Sequence, residues 1–204
     1  MLVIIDYGMG NLGSLKNMFR AIGQEVFIES CPSRISQAER IVLPGVGSFD
    51  AAMQSIHQIP DLSEVIKSKA LEEKIPVLGI CLGMQILLDS SEEGVMPGLG
   101  VIEGKVLRFP TSEGFKVPHM GWNVALPTNL GDRLFPDISK DAKYYFAHSY
   151  YARVKDPENS MMTTEYSLKF DSAICKENVL GVQFHPEKSH RFGMELLKFF
   201  LEYS

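Results

Sequence analysis

Cysteine is scarce in this chain of 204 residues, which has only Cys31, Cys81 and Cys175. So odd and sparse a set, with no C-x-x-C pair, excludes a disulfide framework and offers no zinc-binding pattern. A cytoplasmic, reducing setting without a bound metal is therefore expected. Basic blocks are lacking too: 20 Lys and Arg against 25 Asp and Glu leave a net charge of −5. That balance speaks against nucleic acid or an anionic membrane surface as a partner. Long apolar runs are missing. The opening Leu2-Val3-Ile4-Ile5 is cut by Asp6 and has no basic residues before it, so it predicts a first strand rather than a signal or membrane span. Neither a linker nor a repeat divides the chain, and residues 1–204 are expected to form a single domain with a sizeable core, 45% of the residues being hydrophobic.

What the chain does have is one conspicuous turn, Gly79-Ile80-Cys81-Leu82-Gly83-Met84-Gln85. The apolar run at 77–80 suits a strand buried on both faces of a parallel sheet, and 85–88 continue with good helix formers. Glycines two residues to either side of Cys81 match the G-x-nucleophile-x-G elbow, where small neighbours let strand and helix approach closely. At a helix N-terminus, the macrodipole and unpaired N–H groups favour a thiolate. A free cysteine is more often a small core residue, but the paired glycines and the strand-then-helix context favour a nucleophile.

The rest of the chain supplies its surroundings. After the first strand, Gly8, Gly10 and Gly13 form G-x-G-x-x-G before helically spaced Leu15, Met18, Phe19 and Ile22. A dinucleotide site is a weak reading, because Glu29 is the nearest acidic residue to the ribose-binding position about 20 residues on. Short strands at 26–28 and 40–43 alternate with helical stretches at 48–56 and 62–73, which predicts an α/β fold: a central, mostly parallel sheet flanked by helices. The third strand runs into Pro44-Gly45-Val46-Gly47, a loop able to bring backbone N–H groups to an oxyanion opposite that of Leu82. Beyond residue 90 the pattern shifts to shorter runs at 101–109, 122–126, 143–153, 161–166 and 170–176, expected as an added antiparallel or edge-strand region. A last strand, 180–184, ends at His185-Pro186-Glu187, before a helix with Phe192, Leu196, Leu197 and Phe200 on its apolar face. His185 has the chemistry of a general base and Glu187 that of the carboxylate that orients it.

Together these residues resemble the class I, or triad, glutamine amidotransferase family: the Cys81 elbow, His185-Pro186-Glu187, and Pro44-Gly45-Val46-Gly47 in the oxyanion position. Within that family Asp6-Tyr7-Gly8-Met9-Gly10-Asn11, Pro118-His119-Met120-Gly121-Trp122-Asn123, His148-Ser149-Tyr150 and Gln183-Phe184-His185-Pro186-Glu187-Lys188-Ser189 are similar to glutaminase subunits of imidazole glycerol phosphate synthases. The resemblance spans essentially the whole chain. It departs at Ser167, where it implies a glycine after Tyr166.

What the resemblance implies is hydrolysis of L-glutamine to glutamate and ammonia through a Cys81 thioester, with His185 and Glu187 completing the triad and no cofactor. Val46, Gly47 and Leu82 would hold the oxyanion, and Gln85, His148, Ser149 and Tyr150 the glutamine. The ammonia would pass to a (βα)8-barrel cyclase subunit forming imidazole glycerol phosphate and AICAR in histidine biosynthesis. Asn11, Met120, Trp122, Asn123 and Lys188 are then the candidate docking residues. From the residues alone, the aromatic stretch 144–151 is better read as core. Other readings are a cysteine hydrolase of another class, a glutaminase serving a different synthase, and a non-enzymatic subunit, which would be expected to lack part of the triad.

Overall fold

In the computed structural model, which describes residues 1–110, 115–139 and 141–203, strand and helix alternate through the first half. The order is β1 (Leu2–Ile5), α1 (Leu12–Ala21), β2 (Phe27–Glu29), α2 (Pro32–Ile35), β3 (Arg40–Gly45), α3 (Phe49–Gln58), α4 (Leu62–Lys67), β4 (Val77–Cys81) and α5 (Leu82–Ile86). The long helix expected at 62–73 is instead α4 followed by a wider π turn over Ser68–Glu72. The second half holds β5 (Ser90–Ser91), β6 (Gly104–Arg108), β7 (His119–Val124), β8 (Leu126–Pro127), α6 (Asn129–Leu134), β9 (Lys143–His148), β10 (Tyr150–Val154), β11 (Ser160–Tyr166), β12 (Leu168–Lys176), β13 (Val179–Val182) and α7 (His190–Glu202).

One large sheet runs β2-β1-β3-β4-β13-β12-β10-β6-β5, with β11 against β12 and β8 beyond it. Its first five strands are parallel, so β1, β3, β4 and β13 all point their carboxyl ends to one edge. The strands from β12 to β6 pair antiparallel. The core explains why β1 and β4 are apolar without interruption. Leu2 and Ile4 sit with Leu15, Phe19, Leu78, Ile80, Leu197 and Phe200 on one face. Val3 and Ile5 sit with Phe49, Met53, Ile56, Ile66 and Val77 on the other. Successive side chains of a strand point to opposite faces, and here both faces are covered, by α1 and α7 on one side and by α3 and α4 on the other.

A separate two-stranded sheet, β7 with β9, lies over the first of these cores, where Tyr144 and Phe146 are fully buried. The stretch 143–153 is therefore two strands rather than one. It breaks at Ser149, where β9 leaves the small sheet and β10 enters the large one beside β6. At Ser167, the departure from the family pattern, the backbone is left-handed with φ +54° in the tight turn between β11 and β12. That is the conformation glycine adopts freely, so this chain holds a serine in a glycine's geometry. Among the described residues no helix is long and apolar enough to cross a membrane.

Candidate active site

Cys81 ends β4 with φ +55° and ψ −110°, a left-handed twist unusual for a residue with a side chain. Its neighbours show why the twist persists. A Cβ on Gly83 would lie 1.7 Å from the carbonyl oxygen of Leu43, and one on Gly79 would lie 2.7 Å from that of Gly83. Strand and helix pass so closely that only glycine fits at either position, and the sulfur is left at the carboxyl edge of the sheet. Gly45 pairs with Cys81 across β3 and β4, which carries Val46 and Gly47 straight past the sulfur.

His185 follows β13 on the neighbouring parallel strand. Its backbone N–H donates to the carbonyl of Tyr145 at 2.9 Å, and its own carbonyl accepts from Ser189 Oγ at 2.6 Å. Ser189 Oγ in turn accepts from the N–H of Tyr145 at 3.0 Å. The imidazole Nδ1–H donates to Glu187 Oε1 at 2.8 Å, both side chains being only 4% exposed. Burial works to lower the pKa of His185. Hydrogen bonding to Cys81 and to Glu187, together with their charges, outweighs it and raises the group to about 10. An acid held protonated beside the sulfur, with its tautomer fixed from behind, is poised to give its proton to a leaving group.

A cavity of about 330 Å³ opens over this centre. Val46, Gly47, Cys81, Leu82, Gln85, His148, Ser149, Tyr150 and His185 all line it, while Glu187 stands behind His185. Gln85 is buried, its amide Nε2 donating to the carbonyl of Tyr150 at 3.1 Å and to Gln183 Oε1 at 2.9 Å. Gln183, fully buried, turns its own Nε2 towards Cys81 Sγ at 3.7 Å.

The five docking candidates scatter more. Met120 is 64% exposed and Trp122 48%. Met120 and Lys188 sit at the cavity lining, and the Lys188 ammonium lies 5.3 Å from the centre of the Tyr145 ring. Trp122 stacks on His190 with ring centroids 5.3 Å apart. Asn11 is exposed and caps α1 by accepting from Ser14 N–H. Asn123 turns its amide inward, to His119 and to the carbonyl of Glu165. The glycine-rich loop after β1 packs against the end of β3: a Cβ on Gly10 would sit 3.1 Å from Pro44, and the Tyr7 hydroxyl donates to the Pro44 carbonyl at 2.6 Å.

Several residues of this centre had no role in the sequence reading. Glu93 lines the cavity, and its carboxylate also accepts from the Phe49 N–H at the start of α3; nothing in its polar surroundings singled it out. Gln183, Ser189 and His119 stood inside segments already picked out for other residues.

The class I glutamine amidotransferase family matches residues 3–203. The chain belongs to that family. Among curated relatives of this amidotransferase, the imidazole glycerol phosphate synthase subunit HisH 2 of Methanococcus maripaludis is 48% identical over 99% of both chains. The protein of the same name from Pseudomonas aeruginosa is 44% identical, again over 99% of both. Among solved structures, PurLQS of Thermotoga maritima has a TM-score of 0.73 at 18% identity, covering 99% of this chain and 97% of that one. A structure described as a glutamine amidotransferase has a TM-score of 0.72 at 18% identity, with 98% and 97% covered. These structural likenesses bear out the fold expected from the sequence, a mostly parallel sheet between helices.

Proposed function

We propose that this amidotransferase is the glutaminase subunit of an imidazole glycerol phosphate synthase. In this reading it hydrolyses L-glutamine and hands the ammonia to a (βα)8-barrel cyclase subunit that forms imidazole glycerol phosphate and AICAR in histidine biosynthesis. The observation that carries the chemistry is the strained Cys81 beside the buried His185–Glu187 pair in one cavity. The synthase assignment is supported by the similarity over full length to proteins named as HisH subunits.

Cys81 as thiolate attacks the side-chain amide carbon of glutamine, forming the C–S bond and moving an electron pair onto oxygen. Backbone N–H groups of Leu82 and of the Val46–Gly47 stretch stabilise that oxyanion, each such donor contributing about 10²- to 10³-fold to the rate. His185 gives its proton to the departing nitrogen, the C–N bond breaks, and ammonia and a γ-glutamyl thioester remain. Thioester formation removes the thiolate charge that helped to hold the imidazole protonated, so its pKa falls and it can accept a proton from water. The hydroxide adds to the thioester, the thiolate leaves, and glutamate is released. Gln85, His148, Ser149 and Tyr150 hold the substrate, and Glu93 supplies a negative charge where an α-ammonium needs one.

Cys81→Ala is expected to lower glutamine hydrolysis by about 10⁵-fold or more, while synthesis from added ammonium salt with the cyclase subunit continues. Glutamine turnover unchanged in that variant would overturn the mechanism.

A further inference from the structure

His119 is a buried histidine that the mechanism does not use. It sits on β7, opposite His148 on β9, with its ring between Tyr166 at 4.0 Å and Phe146 at 4.8 Å. Its Nδ1 lies 2.9 Å from His148 Nε2, and its Nε2 lies 3.3 Å from Asn123 Nδ2. His148 Nδ1 lies 2.7 Å from the carbonyl oxygen of Tyr150, the same oxygen that accepts from Gln85.

Both ends of this chain fix its direction. A carbonyl only accepts, so His148 Nδ1 carries the proton and, in a neutral ring, His148 Nε2 is the acceptor. At the other end Asn123 Oδ1 accepts from the Val124 N–H at 2.8 Å and Asn123 Nδ2 donates to the Glu165 carbonyl at 3.1 Å, so it is the amide nitrogen that faces His119. His119 Nε2 must then accept and His119 Nδ1 must donate to His148. Burial favours neutral rings, lowering His119 to about 4 and His148 to about 3.

We propose that His119 is a positioning residue for glutamine: it locks His148 in the Nδ1–H tautomer and, through the Tyr150 carbonyl, sets Gln85 and the substrate-holding strand against the small sheet that bears Met120 and Trp122. With Tyr150 O and Gln183 Oε1 taking both protons of the Gln85 amide, Gln85 Oε1 is left as an acceptor for the substrate. The proposal rests on the glutaminase reading given above and goes beyond it in assigning His119 a part in substrate affinity.

Its test has a kinetic and a spectroscopic arm. His119→Phe keeps the stacked ring and loses the donor. It is expected to raise the glutamine KM about tenfold, a loss in keeping with one buried hydrogen bond, with kcat changed less than about threefold. His119→Asn, which puts an amide N–H near the Nδ1 position, should recover most of that. Asn123→Asp is isosteric but presents an acceptor to His119 Nε2; it favours the Nε2–H tautomer of His119, turns Nδ1 into an acceptor facing His148 and should raise KM in the same way. In the unmodified full-length chain, ¹⁵N spectra of the histidine side chains should show His119 and His148 neutral and both in the Nδ1–H form, the minor tautomer in water. A KM unmoved in His119→Phe, or Asn no better than Phe at 119, or an Nε2–H form of His148, would overturn the assignment. Should the wild-type chain hydrolyse no glutamine even with the cyclase subunit and its ligand present, the functional reading fails, and the tautomer measurement still decides the relay.

Discussion

The parallel edge of the large sheet and the small β7–β9 sheet build the site by opposite means. At the parallel edge each reactive group is set by its own few neighbours in sequence: Cys81 by Gly79 and Gly83, and His185 by Glu187 two residues on. In the small sheet the useful contacts cross between strands far apart in the chain, as His119 to His148 or Trp122 opposite Tyr145. The first region is a local device that any parallel sheet could host. The second is a device of pairing, and it links the cavity proposed to hold glutamine to the face that carries the exposed Met120 and Trp122.

Breaking the local device should have the larger effect. In Glu187→Gln the carboxylate charge behind His185 is lost while the shape is kept. The rate of glutamine hydrolysis should fall by about 10²- to 10⁴-fold, the range of a compromised general acid–base group. The sign of the pH effect follows from His185, whose pKa is raised to about 10 in part by Glu187. The protonated form is needed for ammonia to leave, so activity is lost as pH rises through that pKa. Without the carboxylate the alkaline limb of kcat/KM must move to lower pH, as a pH–rate profile would show. A limb that stayed in place would mean that Glu187 does not set the charge of His185.

Gly83→Ala tests the same region through packing. An added Cβ would press on the Leu43 carbonyl at 1.7 Å, and backbone cannot yield as a side-chain tip can. The cost should be about 3 kcal/mol, the upper part of the range for overpacking, measured by denaturant unfolding, with activity falling as the elbow shifts. A variant as stable as the parent would show that α5 can move away from β3.

The same contrast explains what could be read from the residues. β1 could be placed to the residue because Leu2 to Ile5 are bounded by Met1 and Asp6 and buried on both faces. The elbow was visible because its cause, two glycines flanking one nucleophile, is contiguous. The division of 143–153 into two sheets was not, since Ser149 is an ordinary residue and the break is imposed by β6 on one side and β7 on the other. Nor was the turn from α4 into a π segment, for Ser68-Lys69-Ala70-Leu71-Glu72 suits an α-helix as well. Glu93 and Gln183 reach the site only through tertiary packing, Gln183 through Gln85 on another element. A single Glu in a polar stretch, or a single Gln between Val182 and Phe184, carries no such information.

The smallest effect expected comes from the proposed docking face. Trp122 is 48% exposed although it is the one tryptophan of the chain, and it is held rigid by stacking on His190 and an edge contact with Tyr145. A half-exposed, pre-ordered aromatic is the residue type of an interface anchor, worth about 2 kcal/mol on truncation. Trp122→Ala should therefore weaken binding of the cyclase subunit by about 30-fold and reduce its stimulation of glutamine hydrolysis, leaving the activity of the chain alone unchanged. Phe27, 37% exposed on β2 at the far edge of the sheet, provides the control, since Phe27→Ala should alter neither. Titration of the cyclase subunit into each variant by calorimetry separates the two aromatics. Equal affinities would place the docking surface away from the small sheet, leaving the His119 relay to serve glutamine alone.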